Sequence, residues 1–393
     1  MTKTPFGLSW LVNPIRSDVF IKDYWERSPL LIKRKDRSYF AGIMDIRDVE
    51  ELLPGSETRD DFVRCVKDGS PISLGAGTGV EKSLAAFRSG ATIVLQGLHR
   101  ARPTLSALTN ALAREFSCNF QINAYLTPSS EKTNRGLGLH YDTHDVFVLQ
   151  LAGIKRWRIY QSPLRLPLPT QPHDPSARDR GKCLIQCDLH PGDCLYIPRG
   201  FYHSAKVTRS LRASLHLTIG IHPVKWADLI TSVLQKAMEQ EAPLRESLPF
   251  AFAKNSSTSQ LIRRRFLHGM DTLAKPRYFE AALRAITERL VDQQYPVLDR
   301  HFEDLDACAD LRLDTKIKRR PGIAAEAEVK RNELTLRFHG KVVEMPSHLA
   351  GALRFMRRVP VFSARQLPGD FSRAEKLVLI RRLIEEGYLT FAR

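Results

Sequence analysis

His140-Tyr141-Asp142-Thr143-His144-Asp145-Val146-Phe147-Val148-Leu149-Gln150-Leu151 reads as a β-strand, and the rest of the chain is read outward from it. Successive side chains of a strand point to opposite faces. His140, Asp142, His144, Val146, Val148 and Gln150 therefore share an inward face, while Tyr141 points away and Asp145, Phe147, Leu149 and Leu151 meet the other layer. Further short β-rich runs surround this one, at 119–126, 156–160, 183–189, 193–197, 203–207 and 213–221, parted by Gly and Pro. Strands of this length at this density predict an antiparallel sandwich or barrel with its core at about 119–222. The Pro-rich piece 163–175 cannot run through the middle of a sheet and is expected to be a loop.

Upstream, residues 1–118 read as mixed helix and loop, with helices at 15–24, 45–53 (stopped by Pro54-Gly55) and 105–116, the last apolar at helical spacing and suited to packing on a sheet. Downstream of Pro223 the pattern turns helical at 226–240, 257–268 and 278–295, as in a spacer or dimerisation region. A linker is expected at 316–322, Lys-Ile-Lys-Arg-Arg-Pro-Gly. After it come a strand pair (333–338, 341–344), helices at 348–358, 363–367 and 372–387, and a closing strand at 388–392, an order that suits a winged helix-turn-helix.

The whole chain sets further bounds. Its 393 residues suffice for two or three domains, and an apolar fraction of 43% fits a soluble globular protein. The net charge of +17 favours anionic surfaces, with nucleic acid or a ribonucleoprotein first. No apolar run approaches the ~20 residues of a membrane span. The opening Met1-Thr2-Lys3-Thr4-Pro5-Phe6-Gly7 lacks a signal-peptide core, so the expected compartment is the cytoplasm. Six cysteines lie scattered at 65, 118, 183, 187, 194 and 308 and are expected to be reduced; the spacing of Cys183 and Cys187 is neither zinc-ribbon nor redox spacing.

The chemistry concentrates in three residues. His140 and Asp142 aim at one point from one strand. A third ligand has to come from a neighbouring strand, and His203 opens one, after the turn in Pro191-Gly192-Asp193-Cys194-Leu195-Tyr196-Ile197-Pro198-Arg199-Gly200-Phe201-Tyr202. His-X-Asp alone recurs by chance; the Gly- and Pro-bounded turn that presents the last His is the specific part. Two imidazoles and one carboxylate on one face of a metal leave the opposite face open, the arrangement of non-haem Fe(II) oxygenases. A 2-oxo acid can take two open positions and dioxygen the last. The distal carboxylate of 2-oxoglutarate then needs a buried cation, and Lys155, just past the Gly153 turn, is the expected one. Asn123 and Ser214 are expected hydrogen-bond partners of the oxo acid or around the metal. His144 shares the inward face but lies too far along the strand to be a ligand. His216 and His222 read as packing or surface residues, and Tyr125, Tyr141 and the 163–175 loop as possible lining of a substrate entrance.

With these residues in place the chain resembles the ribosomal oxygenases of the JmjC-type, cupin-fold 2-oxoglutarate oxygenases. The resemblance runs over nearly the whole length. It rests on Tyr24-Trp25-Glu26-X-X-Pro29-Leu30, Asn123-Ala124-Tyr125-Leu126-Thr127-Pro128, the 140–147 stretch, Gln150-Leu151-Ala152-Gly153-X-Lys155-Arg156-Trp157, the turn before His203, and Ser214-Leu215-His216-Leu217-Thr218. It implies an α+β fold: a double-stranded β-helix (cupin/JmjC) barrel with flanking helices over 1–222, a helical dimerisation region over 223–315, and a linker with a winged helix over 316–393. It implies Fe(II) held by His140, Asp142 and His203, with 2-oxoglutarate as co-substrate at Lys155, Asn123 and Ser214, and O2 consumed. The implied reaction hydroxylates a ribosomal-protein side chain, arginine before histidine, releasing succinate and CO2. A homodimer is implied as well. One departure stands out: residues 311–393 hold 18 Lys and Arg against 9 Asp and Glu, where the family's winged helix is usually not basic. A contact with ribosomal RNA through that surface is one expectation.

Three other readings stay open at the level of sequence. The same triad would serve an oxygenase acting on a peptide, a free amino acid or a tRNA base. A DNA-binding regulator would use the last helix, with Arg373, Lys376, Arg381 and Arg382, and keep the barrel as a ligand sensor. A barrel without metal is the third.

Overall fold

A computed structural model of the chain describes residues 6–54, 62–67, 69–72, 79–129, 136–172, 181–208, 212–254, 258–296 and 298–392. Residues 1–5, the end of the 163–175 loop and the first residue of the expected 257–268 helix lie outside them. Two compact units are present, Met1–His222 and Pro223–Arg393.

In the first unit the described strands are β1 (Leu30–Ile32), β2 (Val63–Lys67), β3 (Ser70–Pro71), β4 (Thr92–Leu95), β5 (Asn119–Thr127), β6 (Gly136–His140), β7 (Asp145–Ala152), β8 (Lys155–Tyr160), β9 (Cys183–Leu189), β10 (Cys194–Ile197), β11 (His203–Val207) and β12 (Ser214–His222). They form a large sheet in the order β1-β10-β7-β12-β5-β4-β2-β3 and a small one in the order β6-β11-β8-β9. Neighbours run antiparallel throughout. The period-two pattern is clearest in β8, where Lys155, Trp157 and Ile159 are buried while Arg156 and Arg158 are exposed. Val146, Val148, Trp157, Ile159, Leu195 and Ala205 make a core shared by the two sheets. The opposite face of the large sheet is covered by the N-terminal segments. Helix Pro103–Phe116 buries Leu105, Leu108 and Leu112 completely. Burial of a leucine of this kind contributes about 1.5–3 kcal/mol. Helix Ile46–Leu52 begins at a reciprocal cap, in which Asp45 accepts from the Asp48 backbone N–H and Asp48 from that of Asp45.

Two expectations need correction here. Residues 1–118 are not helix and loop alone, because β1 to β4 join the large sheet. Two to five residues are too few for alternation to stand out, and β4 is buried on both faces. Nor does 140–151 form one strand. β6 ends at His140 in the small sheet and β7 begins at Asp145 in the large one, so Asp142 sits in the crossing between sheets. A periodicity reading runs straight through this break, because His144 and Asp145 happen to keep the alternation.

In the second unit, helices Trp226–Gln240, Ser259–Leu273 and Pro276–Asp292 come first, with Val233, Ala237, Tyr278 and Ala282 packed together. A second core follows, running from Cys308 to Leu389. Around it lie a sheet of Glu326–Lys330, Glu333–Phe338 and Lys341–Pro346, helices Ala350–Arg358 and Arg373–Glu385, and a sheet in which Ile317–Arg319 lies between Val361–Phe362 and Leu389–Phe391. The expected linker at 316–322 is thus a central strand. Ile317 is wholly buried, and Arg320 is a buried hub that donates to Asp304 at 2.7 Å and to the Gly387 carbonyl at 3.1 Å. The basic run reads as a linker because Asp304, which satisfies Arg320, lies in a different element. All six cysteines are free. Among the described residues no helix is long and apolar enough to cross a membrane.

Candidate metal centre

His140 ends β6, His203 opens β11, and the two lie side by side in the ladder, paired in register. Asp142 follows β6 by two residues. One ligand atom from each of the three lies within 4.8 Å of the others. His203 Nε2 is 3.6 Å from Asp142 Oδ2, and His140 Nε2 is 3.9 Å from Asp142 Oδ1.

The tautomers are set by the backbone. His140 Nδ1 lies 2.8 Å from the Gly138 carbonyl and His203 Nδ1 lies 3.0 Å from the Phe201 carbonyl. A carbonyl only accepts, so each Nδ1 carries the proton and each Nε2 turns its lone pair toward the shared point. Burial, then the neighbouring His140, pushes the His203 imidazole down to about 4, so it is neutral at pH 7. Burial works to raise the Asp142 carboxyl, but His203, His144, His140 and Arg64 outweigh it and hold it below the ordinary range. Two neutral imidazoles and a carboxylate are the donor set a divalent first-row metal requires.

The turn before His203 is fastened to the large sheet. Arg199, 5% exposed, donates to the fully buried Asp145 at 2.5 Å and to Glu26 at 2.6 Å, and Tyr196 Oη donates to Asp145 at 3.2 Å. The Gly200 N–H donates to the Asp142 carbonyl at 3.0 Å, so the turn positions two of the three ligands at once. Gly200 has φ +87, and a Cβ there would strike the Leu164 carbonyl oxygen.

A cavity of about 660 Å³ opens on the triad. Asn123 lines it, with its Oδ1 occupied by the Gly97 N–H (2.9 Å) and Gln121 Nε2 (3.1 Å). Lys155 lies at the inner end of the barrel, 0% exposed, reaching from the small sheet to Thr127 Oγ1 of the large one at 3.1 Å. Among the described residues no carboxylate pairs with it, and burial pushes its ammonium down to about 7. Ser214 is also buried here, accepting from Gln150 Nε2 at 2.9 Å.

Three further residues at this end, His216, Trp157 and Gln150, have no site role in the sequence reading. His216 is 0% exposed, stacked on Tyr125 at 4.9 Å and edge-on to Trp157 at 5.7 Å; among the described residues neither ring nitrogen has a hydrogen-bond partner. It is a packing residue, as read, but not a surface one. Trp157 Nε1 and Gln150 Oε1 are likewise buried without a partner among the described residues. Buried polar atoms are nearly always paired, so this set around Lys155 is chemically unfinished. A lone His inside an apolar-alternating strand carries no signal for this. Tyr125 lines the cavity, whereas Tyr141 turns away and donates to the Gln171 and Pro172 carbonyls, anchoring the Pro-rich loop.

The last helix of the second unit keeps Leu379, Ile380, Leu383 and Ile384 in the core. Lys376, one of its expected base-reading residues, donates to the Leu367 carbonyl at 2.7 Å, and Arg382 pairs with Glu386 at 2.8 Å.

Comparison with known proteins adds relatives. The JmjC domain family matches residues 98–229. A Drosophila mojavensis protein named "Bifunctional lysine-specific demethylase and histidyl-hydroxylase NO66" is 30% identical over 334 residues, 74% of this chain and 37% of that protein. Human "Ribosomal oxygenase 1" is 29% identical over 321 residues, 77% of this chain and 46% of that one. The chain thus spans less than half the length of these curated relatives. Among solved structures, the Escherichia coli ribosomal oxygenase YcfD matches with a TM-score of 0.55 at 18% identity, over 96% of this chain and 98% of that one, a likeness of fold. A YcfD structure in complex with cobalt and 2-oxoglutarate matches equally, at 0.55 and 18%, over 97% of this chain and 99% of that one.

Proposed function

Because residues 98–229 of this chain are a JmjC domain in a cupin-type α+β fold, and its sequence relatives include ribosomal oxygenases, we propose that the protein is an Fe(II)- and 2-oxoglutarate-dependent oxygenase that hydroxylates a side chain of a ribosomal protein. The observation that carries this reading is the pairing of a converging His-Asp-His set with a buried lysine that lacks an acidic partner among the described residues.

His140, Asp142 and His203 would hold the iron, whose chemistry with the oxo acid and dioxygen is to release succinate and CO2 and place one oxygen on a substrate C–H. Lys155, supported by Thr127, would neutralise the distal carboxylate of 2-oxoglutarate. His216, Trp157 and Ser214 would surround that carboxylate with polar atoms, and Asn123, on the cavity wall, would face the oxo acid nearer the metal. The protein's part is to orient and to exclude water. Incubation with iron, 2-oxoglutarate and ribosomal proteins, followed by a mass search, should find one added oxygen on one protein. No such product, with succinate formed only on free amino acids or tRNA, would move the substrate to those classes.

The target residue is arginine or histidine. Arginine is the choice the family resemblance suggests first. The sequence relative named a histidyl-hydroxylase weighs toward histidine, and the cavity wall of Gln96, Gln121, Asn123 and Thr218 offers hydrogen bonds to either. The mass search separates the two.

Lys155 makes 2-oxoglutarate binding pH-dependent. Its folded pKa of about 7 lies far below that of an exposed lysine, so above pH 7 the amine is mostly neutral and must take up a proton when the dianion binds. Affinity should therefore fall as pH rises from 7 to 9, by up to about tenfold per unit. Calorimetry in buffers of different ionisation enthalpy should register proton uptake in the wild type and none in Lys155→Met. A flat pH profile would remove Lys155 from the carboxylate site.

The helical part of the second unit is read as a dimerisation region. Trp226, Ile230, Leu234 and Met238 form a stripe at four-residue spacing on the outer side of their helix, Trp226 being 80% exposed, while Val233 and Ala237 face inward. A contiguous apolar stripe of this kind is covered in most soluble proteins, and the occupant proposed is a second copy. Sedimentation as a monomer at micromolar concentration would rule that out. The winged-helix reading of the last module and a cytoplasmic location are proposals that accompany the same family assignment, and a contact with ribosomal RNA is proposed from the basic balance of residues 311–393. A regulator that reads DNA bases finds little support, since two of its four expected side chains are engaged within the module.

A further inference from the structure

Gly220 stands in the interior of β12, a central strand of the large sheet, between Gln121 of β5 and Val146 of β7. Glycine weakens a strand interior, and its presence there often marks something that approaches closely. What approaches is the ring of His144. A Cβ at position 220 would lie 3.0 Å from His144 Cδ2 and 3.1 Å from Nε2, closer than side chains normally come. The His144 ring also stacks on His222, with centroids 5.0 Å apart and planes at 25°. Half-buried, it lines the same cavity as the triad yet is not one of the three residues whose ligand atoms converge.

Thr218 and Gly220 of β12 line the cavity, while His216, before them on the strand, is buried beyond its wall on the side of Lys155. If 2-oxoglutarate reaches from the metal toward Lys155, as the proposed function has it, the Gly220 end remains for the substrate. There the wall is the flat ring of His144, stacked on one face against His222, with its Cδ2–Nε2 edge toward a residue without a side chain. Flat rings gain most from flat partners lying against them.

We propose that His144 is a specificity-determining residue of the substrate half of the cavity, where its ring packs against a planar substrate side chain, imidazole or guanidinium. The inference rests on the oxygenase reading, and the test separates the two. The full chain is loaded anaerobically with Mn(II) and 2-oxoglutarate. N-acetyl-histidine amide, N-acetyl-arginine amide and N-acetyl-leucine amide are then titrated in, and their proton resonances are followed for line broadening by the metal.

The wild type should broaden a planar probe and not the leucine probe. His144→Ala should bind the planar probe about five-fold more weakly, with Mn(II) affinity by electron paramagnetic resonance unchanged. His144→Phe should restore probe binding, since it keeps a flat ring without nitrogen atoms. Gly220→Ala, which pushes the ring aside, should behave as His144→Ala does. Failure of the wild type to take up Mn(II) would sink the oxygenase reading, and this inference with it. Metal uptake with no planar selectivity, or full probe affinity in His144→Ala, would overturn the packing role alone. So would loss of Mn(II) in His144→Ala, which would make the residue a metal ligand instead.

Discussion

His140→Ala should stop succinate formation, by at least about a hundredfold, while the fold persists. The imidazole is fixed through Nδ1 to the Gly138 carbonyl and offers only Nε2 to the shared point. An alanine there leaves one imidazole and one carboxylate. Loss of a group that merely orients a metal ligand typically costs 10- to 100-fold, and loss of the ligand itself should cost more. Stability should hardly change, because His140 lies at a strand end with its side chain 28% exposed, and substitutions at such positions usually stay within about 0.5 kcal/mol. Metal analysis and a coupled succinate assay measure the two effects separately. Unchanged turnover in a folded variant would refute the triad.

Arg199→Met should produce the largest loss of stability. Arg199 is the buried counter-charge of Asp145, itself 0% exposed, and it also holds Glu26. Removing one partner of such a pair leaves an uncompensated charge inside the protein and costs about 3–5 kcal/mol, a large share of the ~5–15 kcal/mol that stabilises a typical domain. The urea midpoint should fall accordingly. Arg199→Met with Asp145→Asn should recover much of the loss, because neither charge then remains.

The sign with pH follows from Asp145. Burial raises its carboxyl above the ordinary range even with Arg199 present, and without the guanidinium this rise should grow. The folded carboxyl then binds more protons than the unfolded one between the two pKa values, so stability falls as pH rises through that window. The deficit of Arg199→Met should be smaller at pH 5 than at pH 8; an equal deficit would mean that Asp145 is not the charge left exposed to burial. Metal affinity should fall as well, because the Gly200 N–H of the same turn holds the Asp142 carbonyl.

How far the sequence could be read depended on where each signal lay. The alternation of β8 and β12 and the Gly-bounded turn before His203 are local patterns, and they point to antiparallel strands and to three ligands without any coordinates. The register that puts His203 beside His140 is not local, since it pairs β11 with β6 between residues far apart in the chain. The crossing of the chain from the small sheet to the large one between His140 and Asp145 left no trace in periodicity. The strands at 30–32, 63–67, 70–71 and 92–95 were too short to show. At 317–319, a central strand with Ile317 in the core is hidden in a run of charges, because the carboxylate that satisfies Arg320 lies in a different element.

By itself the sequence determined the residue types: neutral nitrogen donors, a carboxylate, one lysine past a tight turn, and strands that alternate. Those follow from covalent order and from the two-residue period of an extended backbone. The tertiary structure alone decided that Lys155 has Thr127 rather than an acid beside it, that His216 keeps two nitrogens without a partner among the described residues, and that His144 turns a ring edge toward a glycine. Each of these depends on what two distant segments bring within a few ångströms of each other, and no spacing along the chain encodes that distance.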